Sequence, residues 1–209
     1  KRIYFFSMAL AAMLVILQWH SAFAADIPVQ CFNGIGRVDF LISAIEQANA
    51  DPNTLDSIIL EADCTYRLID HYEDRLDAFP VITGRTIIEG NGATLTVAEP
   101  AKPIKILTIG ENANVSISQV SFQNSKVPST VNGAAILVEE NGRLALNQTE
   151  FINNRSTQGG AVYASANSVL LIDSSRFVGN TAEIYGGAVG IGSNVDARIT
   201  NSHFESNQV

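Results

Sequence analysis

Few residues in this chain have the types that chemistry needs, and they fall in rows. Ser121, Glu150, Arg176 and His203 each stand directly before a phenylalanine, and Ser118, Asn147, Asp173 and Thr200 stand three places earlier. Hydrolysis of a glycosidic bond takes two carboxyl groups about 5 to 9.5 Å apart, one acidic and one basic. Eliminative cleavage takes calcium held by several carboxylates beside an arginine or lysine. Each row holds a single carboxylate, and Asp173 with Arg176 and Arg198 is the nearest approach to the second arrangement. Glu150 facing Arg176 reads as a cross-strand ion pair worth well under about 1 kcal/mol. Glu139 and Glu140 read as loop decoration, and His71 lies in a charged connector, Asp70 to Asp77, with no nucleophile nearby. The residues therefore predict no catalytic group, no cofactor and no metal.

What aligns these rows is an internal repeat. Phe122, Phe151, Phe177 and Phe204 are separated by 29, 26 and 27 residues, and Gly133, Gly159 and Gly186 each precede the next phenylalanine by 18. Length variation is thus confined to the segment between Phe and Gly. Within the constant half the apolar period is two, the strand period. One strand places Ile136 and Val138, Val162 and Ala164, Val189 and Ile191 inward, with Leu137, Tyr163 and Gly190 varying freely outside. The other places Val115 and Ile117, Leu144 and Leu146, Leu170 and Ile172, Ala197 and Ile199 inward. Strand pairs that repeat without helices bury their apolar face only by stacking on the next copy. The expected fold is an all-β right-handed parallel β-helix, with coils about 4.8 Å apart and the phenylalanines in one stack.

The polar markers have structural roles in this reading. Asn154, Asn180 and Asn207 each follow a phenylalanine by three places, where the coil must turn; asparagine tolerates left-handed backbone, and stacked amides form ladders. The pairs Gly159-Gly160 and Gly186-Gly187 permit a sharp corner. Gly133-Ala134 suggests that only the leading glycine is needed for the backbone.

Ahead of the repeats, residues 39–49 read as an amphipathic helix with Leu41, Ile42, Ile45 and Ala48 on its apolar side, fit to cover the open end of the solenoid. Strands are expected at 57–62 and 86–97, with a Gly90-Asn91-Gly92 turn. Lys1 and Arg2, ten apolar residues from Met8 to Leu17, and Ala22-Phe23-Ala24 read as a signal peptide over residues 1–24. An exported chain with two cysteines, Cys31 and Cys64, predicts one disulfide, two free thiols being the alternative; further metal ligands are lacking. A net charge of -8 excludes nucleic acid as the expected partner. The expected organisation is a signal peptide at 1–24, a capping region at 25–80 and β-helix repeats at 81–209. No initiator Met is present, and Asn207-Gln208-Val209 stops within a turn, so a longer native protein with more coils is expected.

The marks Gly159-Gly160-Ala161-Val162, Gly186-Gly187-Ala188-Val189, Phe151 to Asn154, Phe177 to Asn180 and Phe204 to Asn207 resemble the polymorphic outer membrane proteins of chlamydiae and similar exported proteins of environmental bacteria. Cys31, the Ala44 to Asn49 run and Pro80 to Thr83 resemble their leading region. Phe122 departs from the pattern, with Ser125 where the asparagine should stand. The resemblance implies a secreted or surface-exposed, adhesive passenger without transmembrane helix, whose partner is a host or cell-surface protein or a polysaccharide. The alternative is a polysaccharide lyase or glycoside hydrolase whose catalytic coils lie beyond residue 209. The Asn-Thr-Asp, Asp-Asp, Gly-His-Gly and Arg-x-Lys runs of polygalacturonases are absent from this sequence.

Overall fold

The structure is a computed structural model that describes residues 24–99 and 102–209. The expected signal peptide lies outside these residues except for Ala24. The chain forms an all-β solenoid of about six turns with one short helix near its start. All strand pairs between coils are parallel; the antiparallel pair is the small hairpin of Cys31–Phe32 with Ile35–Gly36.

Each regular coil has three faces. The first is built from Asp26–Val29, Leu55–Leu60, the leading parts of Arg85–Val97 and Asn114–Gln123, then Arg143–Asn147, Val169–Asp173 and Asp196–Thr200. The second runs through Thr65–Leu68, the trailing parts of the same two long strands, Glu150–Ile152, Arg176–Val178 and His203–Glu205. The third is Leu107–Ile109, Ile136–Val138, Val162–Ala164 and Val189–Ile191. Parallel register puts Ile27, Ile58, Ile88, Ile117, Leu146, Ile172 and Ile199 in a single column. Each fully covered member contributes about 1.5 to 3 kcal/mol of apolar burial.

The phenylalanines form the stack that the spacing predicts. Phe122 and Phe151 have ring centroids 5.1 Å apart, and Phe151–Phe177 and Phe177–Phe204 are each 4.7 Å apart. Tyr66 and Leu95 continue the same column below Phe122. Two places before Phe151, Phe177 and Phe204 a hydroxyl column, Thr149, Ser175 and Ser202, takes the place that Val120 fills with apolar packing before Phe122. Thr149 and Ser175 oxygens meet at 2.9 Å, and the Ser202 hydroxyl accepts the Ser175 N–H at 3.1 Å.

The corners explain the wealth of asparagine. Left-handed φ recurs at Asn112, Asn141, Asn167 and Asn194 before the first face, and at Asn124, Asn153, Gly179 and Ser206 after the second. Here the structure corrects the expectation for Asn154, Asn180 and Asn207. The left-handed residue is the one before each of them. Their own side chains instead turn inward, fully buried at Asn154 and Asn180, and satisfy backbone groups that the turn would orphan. Gly133, Gly159 and Gly186 do take left-handed φ, between 61° and 67°. At Gly160 the constraint is space, since a Cβ would stand 2.0 Å from the Gly187 carbonyl oxygen. Gly190 is not freely variable either, because it is buried against Gly159 and the Tyr163 ring.

Helix Val38–Asn49 buries Leu41, Ala44, Ile45 and Ala48; Ala44 takes the central place expected of Ile42, which is only partly covered. Asn49 at its end holds the next segment, donating to the Val81 carbonyl at 2.8 Å and accepting the Thr83 N–H at 2.9 Å. That segment is therefore pinned extended backbone rather than a full strand, with one bridge from Ile82 to Ile109. Parallel pairing starts at Asp26–Val29, which pairs with Leu55–Leu60. The strands expected at 57–62 and 86–97 are Leu55–Leu60 and Arg85–Val97, and the Asn91-Gly92 turn bends the latter without ending it. Among the described residues no helix is long and apolar enough to cross a membrane.

Candidate functional site

Between the first and second faces the chain turns on a left-handed residue in each of these coils, Asn91, Gln119, Gln148, Ser174 and Asn201, with φ from 50° to 54°, Asn91 being followed by a second, Gly92. Gln119 breaks the two-fold alternation, so Ile117 and Val120 both point inward while Ser118, Gln119 and Ser121 stay outside. Stacking the coils lines up these outer side chains, and along the corner they border a shallow groove of ≈ 730 Å³. Its walls include Asn91, Gln119, Gln148, Ser121, Glu150 and Arg176.

The groove is polar and internally tied. Gln119 Nε2 donates to Gln148 Oε1 at 3.3 Å, beginning an amide row. Ser121 Oγ donates to Glu150 Oε2 at 3.3 Å and accepts from Gln123 Nε2 at 2.9 Å. Arg176 Nη1 meets Glu150 Oε1 at 2.8 Å, and its Nη2 meets Glu205 Oε2 at 3.2 Å. The hydrogen bond that Arg176 donates to Glu150 raises its pKa above the ordinary value. His203 follows Arg176 in register and lies 3.6 Å from Glu205.

Asp173 sits beside this groove in another setting. Its Oδ1 accepts from Thr200 Oγ1 at 2.6 Å and Asn201 Nδ2 at 2.8 Å, and its Oδ2 accepts from Ser174 Oγ at 3.0 Å. These donors, Thr200 foremost, hold the carboxyl below its ordinary pKa. A general acid needs the opposite shift. Asp173 is therefore a fixed acceptor rather than a proton donor. Arg176 turns to Glu150 and Glu205, and Arg198 stands opposite Leu171, so the structure does not assemble Asp173, Arg176 and Arg198 as a unit. What the corner does offer is a row of oriented donors and acceptors.

The remaining chemical residues are scattered. Glu139 Oε2 accepts the Glu111 N–H at 3.2 Å, and Glu140 lies nearby on a separate corner. His71 Nε2 donates to the Pro103 carbonyl at 2.8 Å. Asp77, read from sequence as the end of a charged connector, is buried; it accepts from Thr108 at 2.5 Å and lies 3.4 Å from both Lys105 and Arg75. Only its strand-like bridge to Lys105, 28 residues away and one coil on, explains this, and no local pattern marks it. Cys31 and Cys64 are joined in a disulfide with Cα atoms 6.2 Å apart. The asparagine column forms a ladder: Asn154 and Asn180 donate N–H and amide to Oδ1 of the next asparagine at 2.9 to 3.0 Å, and each side chain donates to a phenylalanine carbonyl. Ser125 takes the first place, its N–H reaching Asn154 Oδ1 at 3.1 Å.

The Chlamydia polymorphic membrane protein repeat matches residues 148–165, a span that holds Phe151, Asn154 and Gly159-Gly160. A protein of Escherichia coli (strain K12) described as probable autotransporter YfaL is 34% identical over 98 residues, covering 40% of this chain and 8% of that protein. The chain thus spans a small part of the relative it matches. No solved structure matches it. Residues 148–165 thus carry a stretch similar to the polymorphic membrane protein repeat, in phase with the phenylalanine stack, the asparagine ladder and the glycine corners.

Proposed function

We propose that this chain is part of an exported, surface-exposed protein, and that the solenoid is an adhesin-like passenger that binds without catalysis. In this reading residues 1–24 direct export, and the coils present their outer rows to a host or cell-surface protein or a polysaccharide. The observation that carries it is the corner groove, where Glu150 is tied to Arg176 and Ser121, and Asp173 is held as an ionised acceptor. Such rows suit many weak hydrogen bonds to an extended partner better than one proton transfer. The similarity to a probable autotransporter and the repeat match support surface placement.

Two measurements test this. A reporter enzyme active only after export, fused behind residues 1–24, should become active in a bacterial host. The purified chain should be retained on immobilised surface polysaccharides or cell-surface protein, with retention reduced by Gln148→Ala together with Arg176→Ala. Release of unsaturated or reducing ends from pectins or other uronates would overturn the non-catalytic reading.

A further inference from the structure

The disulfide has a neighbour that spacing alone did not reveal. Glu61 stands so that one of its carboxylate oxygens and the sulfurs of Cys31 and Cys64 all lie within 4.8 Å of one another. This placement is built rather than incidental. Glu61 Oε2 accepts the Cys31 N–H at 2.7 Å, while its own N–H donates to the Val29 carbonyl at 3.1 Å. The left-handed Asp63 then turns the chain so that Cys64 returns to the same spot, fully buried.

Two residues beyond Cys64, the Tyr66 ring packs against Gly36, the hairpin partner of Cys31. The Tyr66 hydroxyl is buried with no hydrogen-bond partner. A buried hydroxyl left unsatisfied is costly and calls for an explanation.

We propose that, when the Cys31–Cys64 bond is reduced, the two thiolates and the Glu61 carboxylate form a three-ligand site for a soft divalent cation of the zinc type, with water in the fourth position. Two thiolates and one carboxylate in a tetrahedral set suit zinc, whose bonds to sulfur run about 2.3 Å and to oxygen about 2.0 to 2.2 Å. A Cα separation of 6.2 Å accommodates both closures, so disulfide and metal are alternative clasps on the same end of the solenoid. Reduction takes two electrons from a dithiol and leaves two thiols on this chain and a disulfide on the reductant. Metal binding then displaces the two thiol protons. An exported chain meets a reducing compartment before an oxidising one, so the metal clasp would serve first.

Cobalt(II) tests the site. The full chain is reduced with a phosphine, which takes its oxygen from water and leaves as the phosphine oxide, and is titrated without air. Thiolate-to-cobalt charge-transfer absorption with tetrahedral ligand-field bands is expected at one equivalent, absent from the oxidised protein and displaced by zinc. Glu61→Gln, at an exposed side chain, should weaken cobalt binding about tenfold or more, and Cys31→Ser should lose about half of the charge-transfer intensity. No band in the reduced protein, or a band whose affinity is indifferent to Glu61→Gln, overturns the proposal.

Discussion

Asn154 donates both its backbone N–H and its side-chain amide to Oδ1 of Asn180, each at 3.0 Å, inside a corner that water does not reach. One oxygen thus satisfies two donors from the neighbouring coil. Asn180→Ala takes this acceptor from the backbone N–H, leaves the Asn154 amide only the Phe122 carbonyl, and removes the amide that donates to the Phe151 carbonyl. Each orphaned buried group costs about 1 to 3 kcal/mol, so the variant should lose about 2 to 4 kcal/mol in urea unfolding. Asn207→Ala, on a half-buried rung, should lose visibly less.

The aromatic stack makes a similar graded prediction. Phe151 is sandwiched between Phe122 and Phe177 and fully buried, so Phe151→Ala leaves a cavity and should cost about 3 to 5 kcal/mol. Phe204 is 42% exposed and has its stacking neighbour on one side, and Phe204→Ala should cost about half as much. Equal losses at the two positions would show that the rings do not share one column of burial.

The sequence made the regular coils legible because three side-chain types recur in fixed phase there, each answering a separate demand: Phe for volume, Asn for orphaned turn donors, Gly for backbone. The first coils were harder to read. Their column asks for apolar bulk, not for phenylalanine, and Tyr66 and Leu95 meet that demand without displaying the motif. The left-handed corners at Gln119 and Gln148 were missed for a related reason, since glutamine gives no turn signal and only the stacking imposes the geometry. The groove followed from those corners. Its rows could be written down separately from sequence, but their meeting along one edge depends on where the alternation breaks. The Asn49 clasp on Val81 and Thr83 likewise joins two short motifs that sequence shows only as neighbours.

The glycine corners separate strain from space. At Gly159 φ is +62°, and a Cβ would stand 2.2 Å from the Val162 carbonyl oxygen. At Gly34 φ is +76°, yet a Cβ would meet nothing within 4 Å. Gly34→Ala should therefore show only the left-handed penalty of about 1 to 2 kcal/mol. Gly159→Ala adds that clash within its own coil and a second, at 2.8 Å, with the Gly190 nitrogen of the next coil, and should exceed it clearly, or prevent folding. Thermal unfolding of the two variants side by side checks the ordering.

Asp173 gives the acid side of the stability profile a specific contributor. Thr200, Asn201 and Ser174 bond its ionised form, so its folded pKa lies below the unfolded one, which is about 3.9. The sign follows from proton uptake: the unfolded chain binds this proton more readily, so stability rises with pH through this window. The contribution is complete above about pH 5 and is lost as pH falls through the lowered folded value. Asp173→Asn removes the titration and weakens the acceptor. The difference in unfolding midpoint between the parent and Asp173→Asn should be largest near neutrality and shrink as pH falls through the lowered folded value. A difference independent of pH would mean that the Thr200 and Asn201 bonds do not depend on the Asp173 charge, and that the groove edge is held by shape instead.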